Sequence, residues 1–188
     1  YGLLGEHLPH SFSPQIHLAL GNHDYNLFEV APENLEAFMK EHNFKGINVT
    51  IPYKKQILPY LASVSEEAAK VGAVNCVKIL DNGQRVGYNT DVDGIRLSLN
   101  KLLGQVEPEA ALVLGTGGAS QAVQYVLAER NIPYQIVSRD AAKGNLTYDD
   151  ISEDVLSRHT LIVNASPVGM FPKVDAAPQL PYSALTAE

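Results

Sequence analysis

The chain has a single cysteine, Cys76, no excess of basic charge, and no apolar run approaching the roughly 20 residues that a membrane-spanning helix requires. One cysteine excludes an internal disulfide and fits a reducing, cytosolic compartment. The missing apolar run argues against a membrane anchor. Fourteen Lys and Arg stand against 21 Asp and Glu, a formal net charge of −7. Binding a phosphate backbone needs a basic face, so nucleic acid is not an expected partner. Charged residues are only 19% and hydrophobic ones 45%, which excludes a disordered chain. At 188 residues the chain suits one large domain or two small ones. It can bury about 70% of its unfolded surface, so a core needs neither disulfides nor a structural metal.

There is no initiator Met: the sequence opens inside Tyr1-Gly2-Leu3-Leu4-Gly5 and stops at Glu188, just after Tyr182-Ser183-Ala184-Leu185. Both ends read as cut, so more chain is expected beyond Glu188.

Gly and Pro divide what is there into alternating strand-like and helix-like segments. Tyr1–Gly5, Tyr25–Val30 and Gly46–Thr50 read as strands. A helix is expected from Ser13-Pro14, with Ser as its cap and Pro at its first position, and another from Pro32-Glu33 to about His42. Two more helices are expected near Lys54–Leu61 and Ser65–Val71. Val74–Leu80 and Arg85–Tyr88 flank Asp81-Asn82-Gly83, a hairpin signal. A long amphipathic helix follows over Asp91–Leu103. The pattern then restarts with a continuous apolar strand, Ala110–Leu114, a helix from about Ser120 to Glu129, and strands at Tyr134–Val137 and Thr160–Asn164. Strand–helix–strand alternation predicts an α/β fold with a parallel, doubly wound sheet in this second half. The boundary is expected within or just after the Asp91–Leu103 helix; we take residues 1–92 and 93–188 as the two domains. Aromatic side chains are expected in the core or lining a cleft.

Gly115-Thr116-Gly117-Gly118-Ala119-Ser120 follows the apolar strand and opens a helix. Glycines there permit a tight turn and let backbone N–H groups approach a pyrophosphate, which the helix N-terminus favours. Small residues at Gly118, Ala119 and Ala122 suit close helix–strand packing. Ser stands where a third Gly completes the usual pattern, yet the strand-to-helix context favours dinucleotide binding over a plain glycine turn. The next strand ends in Val137-Ser138-Arg139-Asp140, with Lys143 close behind. Arg139 and Lys143 suit a 2′-phosphate and favour NADP, whereas Asp140 suits an NAD ribose or a turn cap.

The first half carries polar residues where a simple core would not place them. Ser11 and Ser13 precede a helix, where hydroxyls bind an anion or cap the helix. Thr50 and Lys54 follow the Gly46–Thr50 strand, Asn75 opens another strand, and Asp91 follows Asn89-Thr90 at a helix start, where an N-cap is the ordinary role. Hydroxyls, amides, one ammonium and one carboxylate at strand ends suit a small polyhydroxylated acid. His7, His10, His17 and His23 lie close in sequence, but their spacing matches no zinc pattern and no metal is expected.

Six segments together resemble the shikimate dehydrogenase (shikimate/quinate dehydrogenase) family, in its order and over nearly the whole chain. They are His10-Ser11-Phe12-Ser13-Pro14, Gly46-Ile47-Asn48-Val49-Thr50-Ile51-Pro52-Tyr53-Lys54, Gly72-Ala73-Val74-Asn75, Gly87-Tyr88-Asn89-Thr90-Asp91-x-x-Gly94, Gly115-Thr116-Gly117-Gly118-Ala119, and Asn164-Ala165-Ser166-Pro167-Val168-Gly169-Met170. The resemblance implies an N-terminal α/β substrate domain and a Rossmann-type NADP domain, incomplete because the family continues past the point matching Glu188. It implies reversible, NADP-dependent reduction of 3-dehydroshikimate to shikimate in aromatic amino-acid biosynthesis. Ser11 and Ser13 match hydroxyls that hold the substrate carboxylate. Thr50, Asn75, Asp91 and Lys54 match residues on the ring hydroxyls, and Lys54 with Asp91 match the catalytic pair. Gly115, Thr116, Gly117, Gly118 and Ala119 match the pyrophosphate loop, and Ser138, Arg139 and Lys143 the 2′-phosphate segment. Glu66 falls where the family often has an acidic residue near the cofactor.

The sequence departs from the family at Ser138, usually Asn, at Asp140, usually Thr or Ser, and at Cys76, usually Thr. The first two bear on NADP strictness; Cys76 reads as a small buried residue and not a nucleophile. The rival readings are a quinate/shikimate dehydrogenase using NAD and a truncated, non-catalytic ligand-binding module. The expected partner is a small-molecule substrate alone, with no nucleic acid or membrane, in a cytoplasmic monomer or homodimer.

Overall fold

The structure, a computed structural model, describes residues 1–9, 11–41 and 43–185. His10, His42 and residues 186–188 lie outside it, so the expectations touching His10, His42 and Glu188 are not addressed. The chain divides into two compact units, Tyr1–Thr90 and Asp91–Glu188.

The first unit is built on a mixed six-stranded sheet in the order β2-β1-β3-β5-β6-β4. Its strands are β1 (Gly2–Gly5), β2 (Asn26–Glu29), β3 (Gly46–Val49), β4 (Ser63–Val64), β5 (Cys76–Ile79) and β6 (Arg85–Tyr88). β1 runs parallel to β2 and β3, while β5 is antiparallel to both β3 and β6. The β5–β6 hairpin turns at Asp81–Gly83, where Gly83 N–H donates to the Leu80 carbonyl (2.8 Å) and Asn82 Oδ1 accepts from Gln84 N–H (3.0 Å). Gly83 has φ +81°, the left-handed geometry that three-residue hairpin loops require. Strand alternation sends Ile47 and Val49 into the core with Leu4, Met39, Tyr53, Ile57 and Val77, and turns Asn48 to the other face. Burying each such side chain contributes about 1.5–3 kcal/mol.

Helices α1 (Ser13–Ala19), α2 (Leu35–Glu41) and α3 (Glu66–Val71) complete this unit. Three local expectations need correction. Phe12, not Ser13, is the N-cap of α1; its carbonyl already accepts the Ile16 N–H (3.0 Å), which puts Ser13 in the first helical position. Pro32–Asn34 forms a 3-10 turn that leads without a break into α2, so the helical run opens at Pro32 as expected, with its first turn tightened. Ile51–Ile57 is a series of turns followed by a 3-10 turn at Leu58–Tyr60, and no helix spans Lys54–Leu61. The Lys54 carbonyl accepts the Val74 N–H (2.7 Å) from another segment, and Pro59 has no N–H to donate, so the helical ladder cannot propagate. Phe12 is 73% exposed, outside any core, whereas Tyr53 is fully buried. The two-residue strand β4, parallel to β6, had no sequence expectation.

The second unit carries a parallel three-stranded sheet in the order β8-β7-β9, from β7 (Ala111–Leu114), β8 (Tyr134–Val137) and β9 (Leu161–Asn164). β7 is central and buried throughout, as its unbroken apolar sequence requires. Helices are α4 (Asp91–Leu103), α5 (Gly118–Glu129) and α6 (Glu153–Arg158). Asp91 is the first helical residue of α4 and not its N-cap, and α5 begins two residues before Ser120. Arg96 ties α4 to α5 through both Glu129 oxygens. α6 had no sequence expectation, although the Ser152 hydroxyl accepts the Val155 N–H at its start. Because β8 and β9 lie on opposite sides of β7, the connection changes direction at the carboxyl end of β7, where open α/β sheets bind ligands.

Candidate active site

In the first unit, sheet register brings four chain segments to one edge. β1 and β3 end there, β6 ends there, and antiparallel β5 begins there, with Asn48 opposite Cys76 and Cys76 opposite Tyr88. Thr50 follows β3 directly: its N–H donates to the Leu4 carbonyl (2.9 Å) and its carbonyl accepts from Tyr53 (2.9 Å). Lys54 lies one turn further on, half-buried, with its backbone pinned by Val74. In the loop after β1, Ser11 Oγ accepts the Ser13 N–H (3.3 Å), and both serines are half-buried. Gly5 makes room here: a Cβ on it would come within 2.9 Å of Thr50 Cγ2.

Asn75 is fixed on both backbone and side chain. Its N–H donates to the Tyr88 carbonyl (3.0 Å) and its carbonyl accepts from Val49 (2.8 Å). Its amide grips Thr90: Oδ1 accepts the Thr90 N–H (2.8 Å), and Nδ2 donates to Thr90 Oγ1 (3.1 Å). A backbone N–H can only donate, so this pair settles which way the amide points. Thr90 immediately precedes Asp91, the first residue of α4. Asn89, buried at 4% exposure, secures the same corner through the Ala73 carbonyl (3.0 Å). Sequence patterns mark Thr90 and Asn89 only as the approach to Asp91; their hydrogen-bonding capacity beside Asn75 is the signal that could have found them.

Tyr25 is another residue that sequence patterns did not single out. Its hydroxyl donates to Asn48 Oδ1 (2.8 Å), and its ring stacks on His17 with centroids 3.7 Å apart. Burial pushes its phenol up to about 12, against a hydrogen bond with Ser13 that lowers it. Burial likewise pushes the Cys76 thiol up, which leaves it a poor nucleophile. Among the described residues, no group of three or more His, Cys, Asp and Glu is placed to hold a metal ion. Glu66 sits at the start of α3, exposed and paired with Lys70 (2.7 Å).

In the second unit, the turn from β7 into α5 has two different glycines. Gly115 has φ +112°, and a Cβ there would lie 3.0 Å from the Ala165 carbonyl oxygen in the loop after β9. Gly117, the N-cap of α5, has an ordinary extended backbone, and a Cβ there would meet nothing within 4 Å. Beyond the ordinary preference for glycine at an N-cap, nothing in the protein crowds position 117, and this open cradle fits a pyrophosphate. Thr116 and Ala119 are exposed beside it, with Gly118 the first residue of α5. Ser120 is fully buried and accepts from Gln124 Nε2 (2.9 Å), so it is packed behind the loop.

At the end of β8, Ser138 is buried and its hydroxyl accepts the Asp140 N–H (3.1 Å). Arg139 is exposed. Asp140 accepts the Ala142 N–H (3.0 Å) and pairs with Lys143 (3.2 Å), contacts that hold its carboxyl below the usual range. In the fold the carboxylate caps its own turn. Tyr148 adjoins this segment: burial raises its phenol, while the Arg139 charge and a hydrogen bond with Ser166 lower it. Among the described residues, no helix is long and apolar enough to cross a membrane.

One unit with a glycine turn at the direction change of a parallel sheet, and another with a mixed sheet and polar groups along one edge, define a dinucleotide-binding α/β protein of two units. Comparison with known proteins narrows the class. A family profile described as the shikimate dehydrogenase substrate binding domain matches residues 3–77. A curated relative, the shikimate dehydrogenase (NADP(+)) of Clostridium beijerinckii, is 40% identical over 95% of this chain and 71% of its own length. The chain therefore belongs to the shikimate dehydrogenase family. Among solved structures, shikimate 5-dehydrogenase from Thermus thermophilus in complex with NADP(H) and shikimate is similar at a TM-score of 0.80 and 32% identity, over 98% of this chain and 74% of that one. Quinate dehydrogenase from Corynebacterium glutamicum in complex with NAD is similar at 0.83 and 29%, over 98% and 76%.

Proposed function

We propose that the chain catalyses the NADP-dependent, reversible reduction of 3-dehydroshikimate to shikimate, a step in aromatic amino-acid biosynthesis. In this reading residues 1–92 hold the substrate and residues 93–188 the cofactor. The observation that carries it is that sheet register brings the segments of Thr50, Lys54 and Asn75 to one edge of the first sheet, with Ser11 and Ser13 following β1, which ends at the same edge. These groups match the acid and hydroxyls of the substrate in kind: Ser11 and Ser13 take its carboxylate, and Thr50, Asn75 and Asp91 its ring oxygens.

NADP, when bound, supplies or accepts the hydride. Gly115–Ala119 would hold its pyrophosphate, and Ser138, Arg139 and Lys143 its 2′-phosphate; Glu66 remains a candidate contact. Lys54 stabilises the negative charge that develops on the carbonyl oxygen at C3 and gives that oxygen its proton. In the oxidation direction Lys54 takes the proton back, and Asp91 holds the hydroxyl in register for it. The ligands are small molecules, and the cytoplasm is the setting that the lone, half-buried Cys76 suits. The protein acts as a monomer or homodimer.

Measuring initial rates with NADP or NAD, against shikimate or quinate, tests this reading. Fastest turnover with NADP and shikimate is expected. A preference for NAD and quinate would move the chain to the quinate branch, toward which the Corynebacterium similarity points. Binding without any turnover would make it a ligand-binding module.

A further inference from the structure

The loop between β1 and α1 carries Ser11 and Ser13, and one of its ties to the sheet comes from a residue with no part in the mechanism above. Glu29 is the last residue of the edge strand β2, level with Gly5 at the end of β1. Its side chain reaches across to the loop, where Oε1 accepts the Leu8 N–H at 2.5 Å. Two further hydrogen bonds continue the line toward the helix. The Leu8 carbonyl accepts the Ser11 N–H (3.3 Å), and Ser11 Oγ accepts the Ser13 N–H (3.3 Å). Leu8 is itself buried, which gives the line a fixed end. α1 buries none of its residues, and Phe12 at its start is exposed. The helix meets Tyr25 through His17 and Ser13 but sends no side chain into the core, so the loop depends on polar ties for its place.

We propose that Glu29 is a positioning residue for the substrate carboxylate. It touches no substrate; by holding Leu8 it sets the loop from which the Ser11 and Ser13 hydroxyls reach that group. Its negative charge opposes a bound carboxylate, so the hydrogen bond is its contribution, and a neutral acceptor serves equally. This rests on the substrate reading above, in which the two serines take the carboxylate.

The test is initial-rate kinetics of Glu29→Ala and Glu29→Gln with shikimate and NADP. Glu29 is exposed at the end of an edge strand, so neither variant disturbs the core. Glu29→Ala should raise KM for shikimate about 2–10-fold, the worth of one hydrogen bond, with kcat and KM for NADP at the parental level. Glu29→Gln, which keeps the acceptor, should restore KM for shikimate. Ser11→Ala with Ser13→Ala should raise that KM by itself, and Glu29→Ala added to the serine pair should raise it no further, because all three act through one contact. A parental KM in Glu29→Ala, no rescue by Glu29→Gln, or an undiminished effect in the serine background would each overturn the proposal alone. A serine pair that leaves KM unchanged, or a parent without turnover, would overturn the substrate reading and this proposal together.

Discussion

The two units build their polar edges by different means. In the first, three candidate residues are held from a distance in sequence: Thr50 by Leu4, the Lys54 backbone by Val74, and Asn75 by Tyr88, Val49 and Thr90. In the second, the candidate groups sit in turns closed within a few residues, such as Ser138 with Asp140 and Asp140 with Ala142 and Lys143. An edge assembled from distant strands can position side chains for a shaped, neutral ring. A loop made of local turns offers backbone N–H groups and charges, which suffices for phosphates. The chemistry expected of each unit follows that division.

Three perturbations probe it, the largest first. Lys54→Ala should lower kcat by about 10²–10⁴-fold, the usual worth of a positioned proton donor, with a much smaller change in KM. An unchanged kcat would remove the lysine from the mechanism. Thr90→Val should raise KM for shikimate by about 2–10-fold, the equivalent of the ~0.5–1.5 kcal/mol of one hydrogen bond, and Thr90→Ser should restore it. If valine behaves like threonine, the clamp on Asn75 positions nothing. The smallest effect is on stability. The Tyr25 phenol, ordinarily at 10.0, is raised to about 12 in the fold, so the folded state favours its neutral form. Its stabilisation is present below pH about 10 and is lost as pH rises through about 12. Tyr25→Phe should therefore flatten the alkaline fall in melting temperature, leaving the part due to Tyr53 and Tyr148, whose phenols burial also raises. An unaltered alkaline profile would show that Tyr25 is not buried against Asn48.

Legibility in the sequence follows the same division. α4, β6 and β8 fall on their expected residues, because hydrophobic periodicity and turn chemistry act locally. The glycine loop was readable for the same reason. The helix expected at Lys54–Leu61 failed because Val74, twenty residues away, takes a carbonyl that the helix needed. The capping roles expected of Ser13 and Asp91 failed by one position, because Phe12 enters the helical region early and α4 starts at Asp91 itself. The Asn75–Thr90 clamp was hidden because its partners are fifteen residues apart and meet only once β5 and β6 pair. Residue types announced the chemistry; which group holds which was decided by strand register.

Titrating NADP into Gly117→Ala tests the division of labour most directly, with Gly115→Ala beside it. Gly115→Ala forces a side chain into φ +112° against the Ala165 carbonyl and should cost about 1–3 kcal/mol of stability. Gly117→Ala meets no atom of the protein, so its melting temperature should fall only by the small cost of alanine at an N-cap and its shikimate affinity should stay at the parental level, while NADP binding weakens sharply. Parental NADP affinity in Gly117→Ala would contradict the account.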